Sequence, residues 1–489
     1  MVRMMRDFSF LASTLFAGAA TLSMGFGSSN NTSGAEGFVG INGLGGVTMG
    51  AGGIMGSGVL GGWFARRLSA QENGTDKAGS GHHVAIKSFD VSEDETLTYP
   101  SNLANIPDEH TTIMPIGDHE RSSWAANRDS DPVTYLIFAS SALKGGNGGA
   151  VVLETTDLTN FTFATDRGYA EQVMNPPVDF HACDVNWSTV FDENYSAPGS
   201  VLQDPTRPPG NFIMLYEAEN HCPTLTNQQP YYATVGFARS PDFGRTWPQP
   251  VDDEFGGPDR HPVLKSDTPE PTVNTTRALG NAIPSAFVDG NYVYVVYGHA
   301  AGAATDGLVR VARAKFDGND RATRRDHDRP GGGPNHPLEF FKWNGSAFDQ
   351  PGIGGSDVGP VPAGGCPGRQ GSGEISYNDD LGRYFMIFVC NSFKEDGYGS
   401  WYYSTATSLE LQDWAQPVMI GGSRKPIIGP CNLKDNTGNE FDGFYPSFMS
   451  PDARQGHTRL TGKVFFLKGC DTGGDRLFLS RTFTITIEP

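Results

Sequence analysis

The chain has 489 residues, 11% of them aromatic, with 63 glycines and 33 prolines. That length can bury a large core, and the glycine and proline content suits many short strands and turns better than helices. A formal net charge of −19 argues against nucleic acid or an anionic membrane surface as partner.

Residues 1–19 read as a signal peptide. Arg3 and Arg6 give a basic start, Phe8 to Phe16 an apolar run, and Ala17-Gly18-Ala19 a small-residue cleavage site. Residues 20–82 read as a glycine-rich linker or pro-segment. Within it, residues 37–65 carry no charge, include twelve glycines and end at Arg66-Arg67. One reading is a glycine-zipper membrane helix, so membrane association is expected only if 37–65 is retained as an anchor. The other is a flexible segment with a processing site at the arginine pair, which glycine's poor helix propensity favours. A secreted or extracellular protein is expected.

From His83 to Pro489 the composition is that of one globular domain. Its six cysteines, Cys183, Cys222, Cys366, Cys390, Cys431 and Cys470, form no CxxC pair and suit three local disulfides. A repeat runs through the domain. Each unit opens with a short strand and a turn, followed by a strongly apolar strand such as Phe212–Tyr216, Tyr292–Tyr297, Tyr384–Phe388 or Val464–Leu467. The unit starts fall at Pro198, Pro284, Ile375 and Pro446. An earlier unit is marked by Val133–Phe138, its start expected near Gly117 to Trp124.

After the alternating strand Tyr232–Arg239 stands Ser240-Pro241-Asp242-Phe243-Gly244-Arg245-Thr246-Trp247. Here Ser and Asp side chains can bond turn amides, Gly supplies a positive φ and Trp plugs the turn onto the sheet. The stretch resembles the Asp box of sialidase-type β-propellers, a mark of architecture and not of chemistry. Thr156 to Phe161 and Ser408 to Trp414 are further outer hairpins ending in an aromatic. The predicted fold is all-β, a five-bladed β-propeller closed by His83 to Asp90 or by Leu477 to Ile487.

The strand pattern also resembles the five-bladed glycoside hydrolases, the arabinanase, β-xylosidase, invertase and levansucrase group, over roughly residues 110–489. That resemblance implies a carbohydrate substrate, a base Asp from the first blade, a second Asp that tunes the acid, and a Glu acid from a later blade. Glu374 matches the acid, because it opens its unit before an apolar strand and its neighbours Gly371-Ser372-Gly373 and Ile375 carry no charge. Its pKa is therefore expected to be raised. Asp118 is the first choice for the base and Asp184 for the tuning carboxylate. Asp204 in Gln203-Asp204-Pro205 lacks the arginine of the invertase-type motif and reads as a turn residue.

Trp124, Trp187, Asp442 and Tyr445 are the expected substrate-binding residues. No cofactor is required, and a structural Ca2+ or a water could sit on the axis near His181, His221 or His299. The resemblance implies inversion, with the two carboxyls about 6.5–9.5 Å apart, whereas about 5 Å would mean retention. Two other readings compete. A sialidase would need an Arg-Ile-Pro motif that is absent here. A non-catalytic propeller binding glycan or protein at the cell surface would place aromatics and amides, and not carboxylates, at its mouth. A P-loop, a GxSxG elbow and an HExxH motif are all missing.

Overall fold

The computed structural model describes residues 85–104, 106, 110–116, 133–143, 148–176, 191–192, 194–220, 231–248, 260–268, 279–300, 308–316, 338–357, 369–391, 399–422, 444–451, 453–468 and 477–488. The expected signal peptide and the glycine-rich segment lie outside these residues. Among the described residues the secondary structure is all-β, apart from a single 3-10 turn at Ala164–Arg167. No helix there is long and apolar enough to cross a membrane.

The chain opens with β1 (Ile86–Val91), β2 (Glu95–Thr96) and β3 (Leu103–Ala104). A first antiparallel meander follows, made of β4 (Thr112–Ile116), β5 (Thr134–Leu143) and β6 (Gly149–Thr155). Both β7 (Thr162–Phe163) and β8 (Gln172–Met174) pair with β6. The second meander comprises β9 (Tyr195–Gln203), β10 (Phe212–Asn220), β11 (Tyr232–Ser240) and β12 (Arg260–Leu264). The third runs through β13 (Leu279–Asp289), β14 (Tyr292–Ala300), β15 (Leu308–Lys315), β16 (Phe340–Trp343) and β17 (Phe348–Pro351). In the fourth are β18 (Arg369–Asn378), β19 (Arg383–Asn391), β20 (Gly399–Ala406) and β21 (Val418–Met419). The fifth contains β22 (Phe444–Met449), β24 (Thr461–Lys468) and β25 (Leu477–Ile487), with β23 (His457–Thr458) pairing away from it onto β18. Its fourth strand is β1, which pairs antiparallel with β25, so both ends of the domain share one sheet.

The unit starts at Pro198, Pro284, Ile375 and Pro446 thus fall in the first strands of meanders two to five. The start expected between Gly117 and Trp124 is displaced: the strand that precedes β5 in its sheet is Thr112–Ile116, upstream of that stretch. Its Thr-Ile-Met-Pro-Ile run is only five residues long and contains Pro115, which argues against a strand and hid it from the sequence pattern.

Five hydrophobic cores lie between successive meanders, of which the second and third are also joined by a two-residue parallel contact of β11 with β13. Met114, Leu136 and Phe138 pack with Phe212, Met214 and Tyr216 between meanders one and two. Ile213, Leu215 and Phe237 pack with Val293, Val295 and Ala312 between two and three. Val296 and Val309 meet Ile375 and Phe388 between three and four. Trp401 and Ile387 meet Phe448, Val464 and Phe466 between four and five. Ile137 and Leu153 meet Phe465 and Phe478 between one and five, completing a cycle. A strand in the middle of such a sheet buries both faces, so Phe212 to Tyr216 reads as a continuous apolar run. Each large side chain buried there contributes about 1.5–3 kcal/mol.

The turn after β11 makes the bonds its sequence suggests. Ser240 Oγ accepts from Gly244 N at 2.9 Å, and Asp242 accepts from Thr246 N at 2.9 Å and Thr246 Oγ1 at 2.7 Å. Gly244 sits at φ 80°, and buried Trp247 donates Nε1 to Gly244 O at 2.9 Å. Asp157 and Asp413 organise the corresponding turns after β6 and β20, where Asp157 takes the amides of Thr159 and Asn160 and Asp413 those of Thr407 and Ser408. Asp204, as expected, holds the turn between β9 and β10, accepting from Thr206 and Arg239.

Sharing a sheet between the two ends of the domain has a measurable cost if undone. Phe89 of β1 is buried, with its ring centroid 5.2–6.1 Å from those of Phe385, Tyr403, Phe448 and Phe483. Phe89→Ala is expected to destabilise the domain by about 3–5 kcal/mol in denaturant titration. A change below about 1 kcal/mol would mean that β1 is not part of the cooperative fold.

Candidate functional site: an axial cavity and a buried carboxyl pair

The first strand of each meander is paired along its length with the second. Its other edge carries only a short parallel contact, of β13 with β11 and of β18 with β23, so the remaining amides on that edge need acceptors from elsewhere. The neighbouring meander supplies them. Thr112 Oγ1 accepts from Val201 N, Ser200 Oγ from Ala286 N, and Ser447 Oγ from Thr111 N, each at 2.9 Å. Glu374 Oε2 accepts from Phe448 N at 2.7 Å. Glu374 therefore stands where the other first strands carry Thr112, Ser200, Ser285 or Ser447.

Those five side chains line one cavity of about 50 Å³, room for a few waters and too little for a sugar ring. Ahead of each acceptor in meanders two to five the ladder shifts register, skipping Gly199, Ile283-Pro284, Ser372-Gly373 and Tyr445-Pro446. Ile283 and Tyr445 adopt φ 55° and 53° there, a left-handed conformation that costs a non-glycine residue about 1 kcal/mol or more. At Gly199 a Cβ would stand 2.0 Å from Pro284 O, so β9 and β13 can approach so closely only at glycine.

One side of the cavity is closed by a segment of the fifth meander. Ala453, Arg454, Gln455, Gly456 and His457 line it. Gln455 Nε2 donates to Val201 O, Tyr377 N to Gly456 O at 3.0 Å, and His457 Nδ1 lies 2.7 Å from Asp379 Oδ1. The segment thus ties the fifth meander to the second and the fourth.

Glu374 is half-buried by area and lines the cavity. Among the described residues it has no cationic partner. Loss of hydration pushes its carboxyl well above the ordinary range, and the Phe448 amide only partly offsets this. His110, in the same cavity, is buried, and neither ring nitrogen has a hydrogen-bond partner of ordinary geometry. Burial lowers its pKa to about 3, against a small opposing effect of the Pro446 carbonyl, so the ring is neutral. Tyr445 lies edge-on to His110, ring centroids 6.2 Å apart.

Of the expected site residues, the structure describes Glu374 and Tyr445 and brings them to this region through His110 and Phe448. Asp118, Asp184, Trp124, Trp187 and Asp442 lie outside the described residues, as do His181 and His221 and the side chains of all six cysteines. His299 is a bonded core residue, its Nδ1 3.0 Å from Asn281 Oδ1. It groups with Asp267 and Asp357 in a geometry that a cation could accept. However, Lys342 Nζ already lies 2.8 Å from Asp357 Oδ2, with Lys265 O and Gly355 O each at 2.7 Å. The Lys342 ammonium thus neutralises Asp357 there.

Sequence reasoning missed His110 and a pair of acids on β10, Glu217 and Glu219. Both are buried and stand two residues apart, on the face that Ile213 and Leu215 present to the third meander. Glu217 Oε2 accepts from Ile283 N on β13. Burial raises the Glu219 carboxyl to about 7, with a hydrogen bond to Glu217 as the opposing effect. The signal was present in the sequence: along Ile213, Leu215, Glu217 and Glu219 one face of a strand changes from apolar to acidic.

No family model matches the sequence, and no curated protein matches it. Solved structures similar to it include the catalytic domain of a Coprinopsis cinerea GH62 α-L-arabinofuranosidase, at 12% identity and TM-score 0.42, covering 82% of this chain and 98% of that one. A Podospora anserina α-L-arabinofuranosidase in complex with cellotriose is 11% identical at TM-score 0.40, covering 82% and 97%. An N-acetylgalactosamine deacetylase from F. plautii in complex with blood group B trisaccharide is 13% identical at TM-score 0.42, covering 82% and 94%. Likeness at this level assigns neither family nor activity to the chain.

The buried acids set a pH dependence whose sign is fixed. Glu374 and Glu219 hold protons in the folded state that the unfolded chain releases in the ordinary carboxylate range. Stability therefore falls as pH rises from that range toward 7 and beyond. His110 acts oppositely, its contribution being lost as pH falls from about 6.5 toward 3. Denaturant midpoints measured from about pH 7 to about pH 8, above the range in which the buried histidines contribute, should decline in the wild type and decline less in Glu374→Gln. Parallel curves would place Glu374 in water.

Proposed function

We propose that the chain is a secreted glycoside hydrolase on a five-bladed β-propeller, with Glu374 as its proton donor. The observation that carries this reading is a carboxyl without a cationic partner on the cavity where the first strands of five sheets meet. A carboxylic acid kept neutral at working pH can protonate a leaving oxygen. The cyclic succession of five sheets and shared cores supports the propeller, each sheet being one blade. The Asp-box resemblance of the turn at Ser240 to Trp247 points to the same architecture.

The axial cavity would form the floor of the site, and the sugar would bind above it at the leading ends of the first strands. Glu374 gives its proton to the glycosidic oxygen as the C–O bond breaks. A second carboxylate, sought by resemblance at Asp118 with Asp184 as tuning group, takes a proton from the water that adds to the anomeric carbon. Trp124, Trp187 and Tyr445 would stack on sugar faces and Asp442 would bind hydroxyls. The scheme needs no cofactor. A separation of about 6.5–9.5 Å between the working carboxyls would give inversion.

A hydrolysis screen of the purified protein on arabinan, xylan, fructan and aryl glycosides tests the reading, with Glu374→Gln alongside. The expected result is activity on one class, reduced at least about hundredfold in the variant at unchanged melting temperature. Full activity in Glu374→Gln would overturn the assignment of the donor. No hydrolysis combined with retention on a glycan array would make the protein a binding module.

A further inference from the structure

We infer that Arg310, at the leading end of the third sheet, anchors a carboxylate-bearing sugar, so that the glycan bound here contains a uronic acid. The case begins with the charges the fold satisfies by itself. Asp357 Oδ1 accepts from Tyr297 Oη at 2.7 Å and from Asn281 Nδ2 at 3.5 Å. Its Oδ2 accepts from Lys342 Nζ at 2.8 Å and from the Asp267 amide at 3.2 Å. That fills the acceptor positions of a carboxylate. Lys342 in turn spends all its donors on Asp357, Lys265 O and Gly355 O. This network is closed without Arg310.

Arg310 stands on β15 directly across from Tyr297 and is 4% exposed. Nε and Nη1 of its guanidinium are buried without a hydrogen-bond partner, and no carboxylate among the described residues pairs with it. The other buried arginines, Arg260 and Arg481, each have one, Asp192 at 3.3 Å and Asp94 at 2.6 Å. Loss of hydration is the largest effect on the Arg310 guanidinium. The attraction of Tyr297, Asp357 and Asp267 offsets only part of it. A buried cation in this condition weakens the fold, and an apolar side chain of similar volume would strengthen it. What the chain does not supply, a ligand can.

The surroundings define that ligand. A guanidinium is a planar fork that matches a carboxylate through two parallel bonds. Asp267 and Asp357 offer oxygens that lie, with a His299 nitrogen, within 4.8 Å of one another. A singly charged group is therefore favoured over a doubly charged phosphate. Asp267 is exposed, which opens the cluster to solvent. Its carboxylate accepts hydroxyls, as it does from Ser356 Oγ at 3.2 Å. A carboxylate and hydroxyls on one ring make a uronic acid.

The register brings this group close to the axial cavity. The Tyr297–Arg310 pair adjoins Gly298, which faces Ala282, and the ladder then skips Ile283-Pro284 to reach Ser285. Ser285 lines the cavity with Glu374. Resting on the hydrolase reading, the uronic acid is one unit of the glycan on which Glu374 acts.

The test is a binding measurement that needs no hydrolysis. The whole protein, as wild type and as Arg310→Met, is titrated calorimetrically with glucuronate, galacturonate, glucose and inorganic phosphate. Expected is one uronate bound at least about tenfold tighter than glucose or phosphate, with that preference lost in Arg310→Met. The variant is expected to melt at the wild-type temperature or above it, because an unpaired buried charge is gone. Uronates bound no tighter than glucose or phosphate, or a preference that survives the substitution, would overturn the proposal. A lowered melting temperature in Arg310→Met would also overturn it, by revealing a structural partner. If a uronate binds through Arg310 but no glycan is hydrolysed, the anchor stands and the hydrolase reading falls. Hydrolysis of neutral glycans with no uronate preference would do the reverse.

Discussion

The structure depends on how the free edges of the first strands are satisfied. A strand that begins a sheet leaves half of its amides unpaired, and burying them costs about 1–3 kcal/mol apiece. Here a side-chain oxygen on one sheet accepts an amide of the next, through Thr112, Ser200, Glu374 and Ser447. Because each of these bonds links two sheets, the first strands are held at fixed register about a common cavity. Small hydroxyls suffice for that purpose. A glutamate in the same place does the structural task and brings a titratable group to the axis.

The same geometry explains why burial, and not a neighbouring charge, governs the acids. Glu374 and Glu219 are raised chiefly by loss of hydration, and the groups that oppose it are an amide and a second carboxyl. Structural ion pairs in this protein look different. Asp204 is held by Arg239 and Arg207, and Asp357 by Lys342. Asp204 and Asp357 thus carry cations beside them, whereas Glu374 is held by a backbone amide and has no cationic partner among the described residues.

Much of this was legible in the sequence. The unit starts at Pro198, Pro284, Ile375 and Pro446 showed because each precedes a strand buried on both faces, which leaves an unbroken apolar run. Glu374 showed because no other charge surrounds it. Other features were hidden for physical reasons. The first sheet opens at Thr112–Ile116, a five-residue strand interrupted by Pro115. His110 is a single histidine whose role arises only when Tyr445, more than three hundred positions away, is folded against it. Glu217 and Glu219 look like a solvated strand end until the third sheet packs over them.

The central claim is that Glu374 is a neutral acid on the axis of the molecule. It is tested most directly by infrared difference spectroscopy of wild type against Glu374→Gln at pH 7, read in the carbonyl band of protonated carboxyl groups. The account predicts that band in the wild type and its loss in the variant. A difference spectrum showing only an ionised carboxylate at position 374 would contradict it.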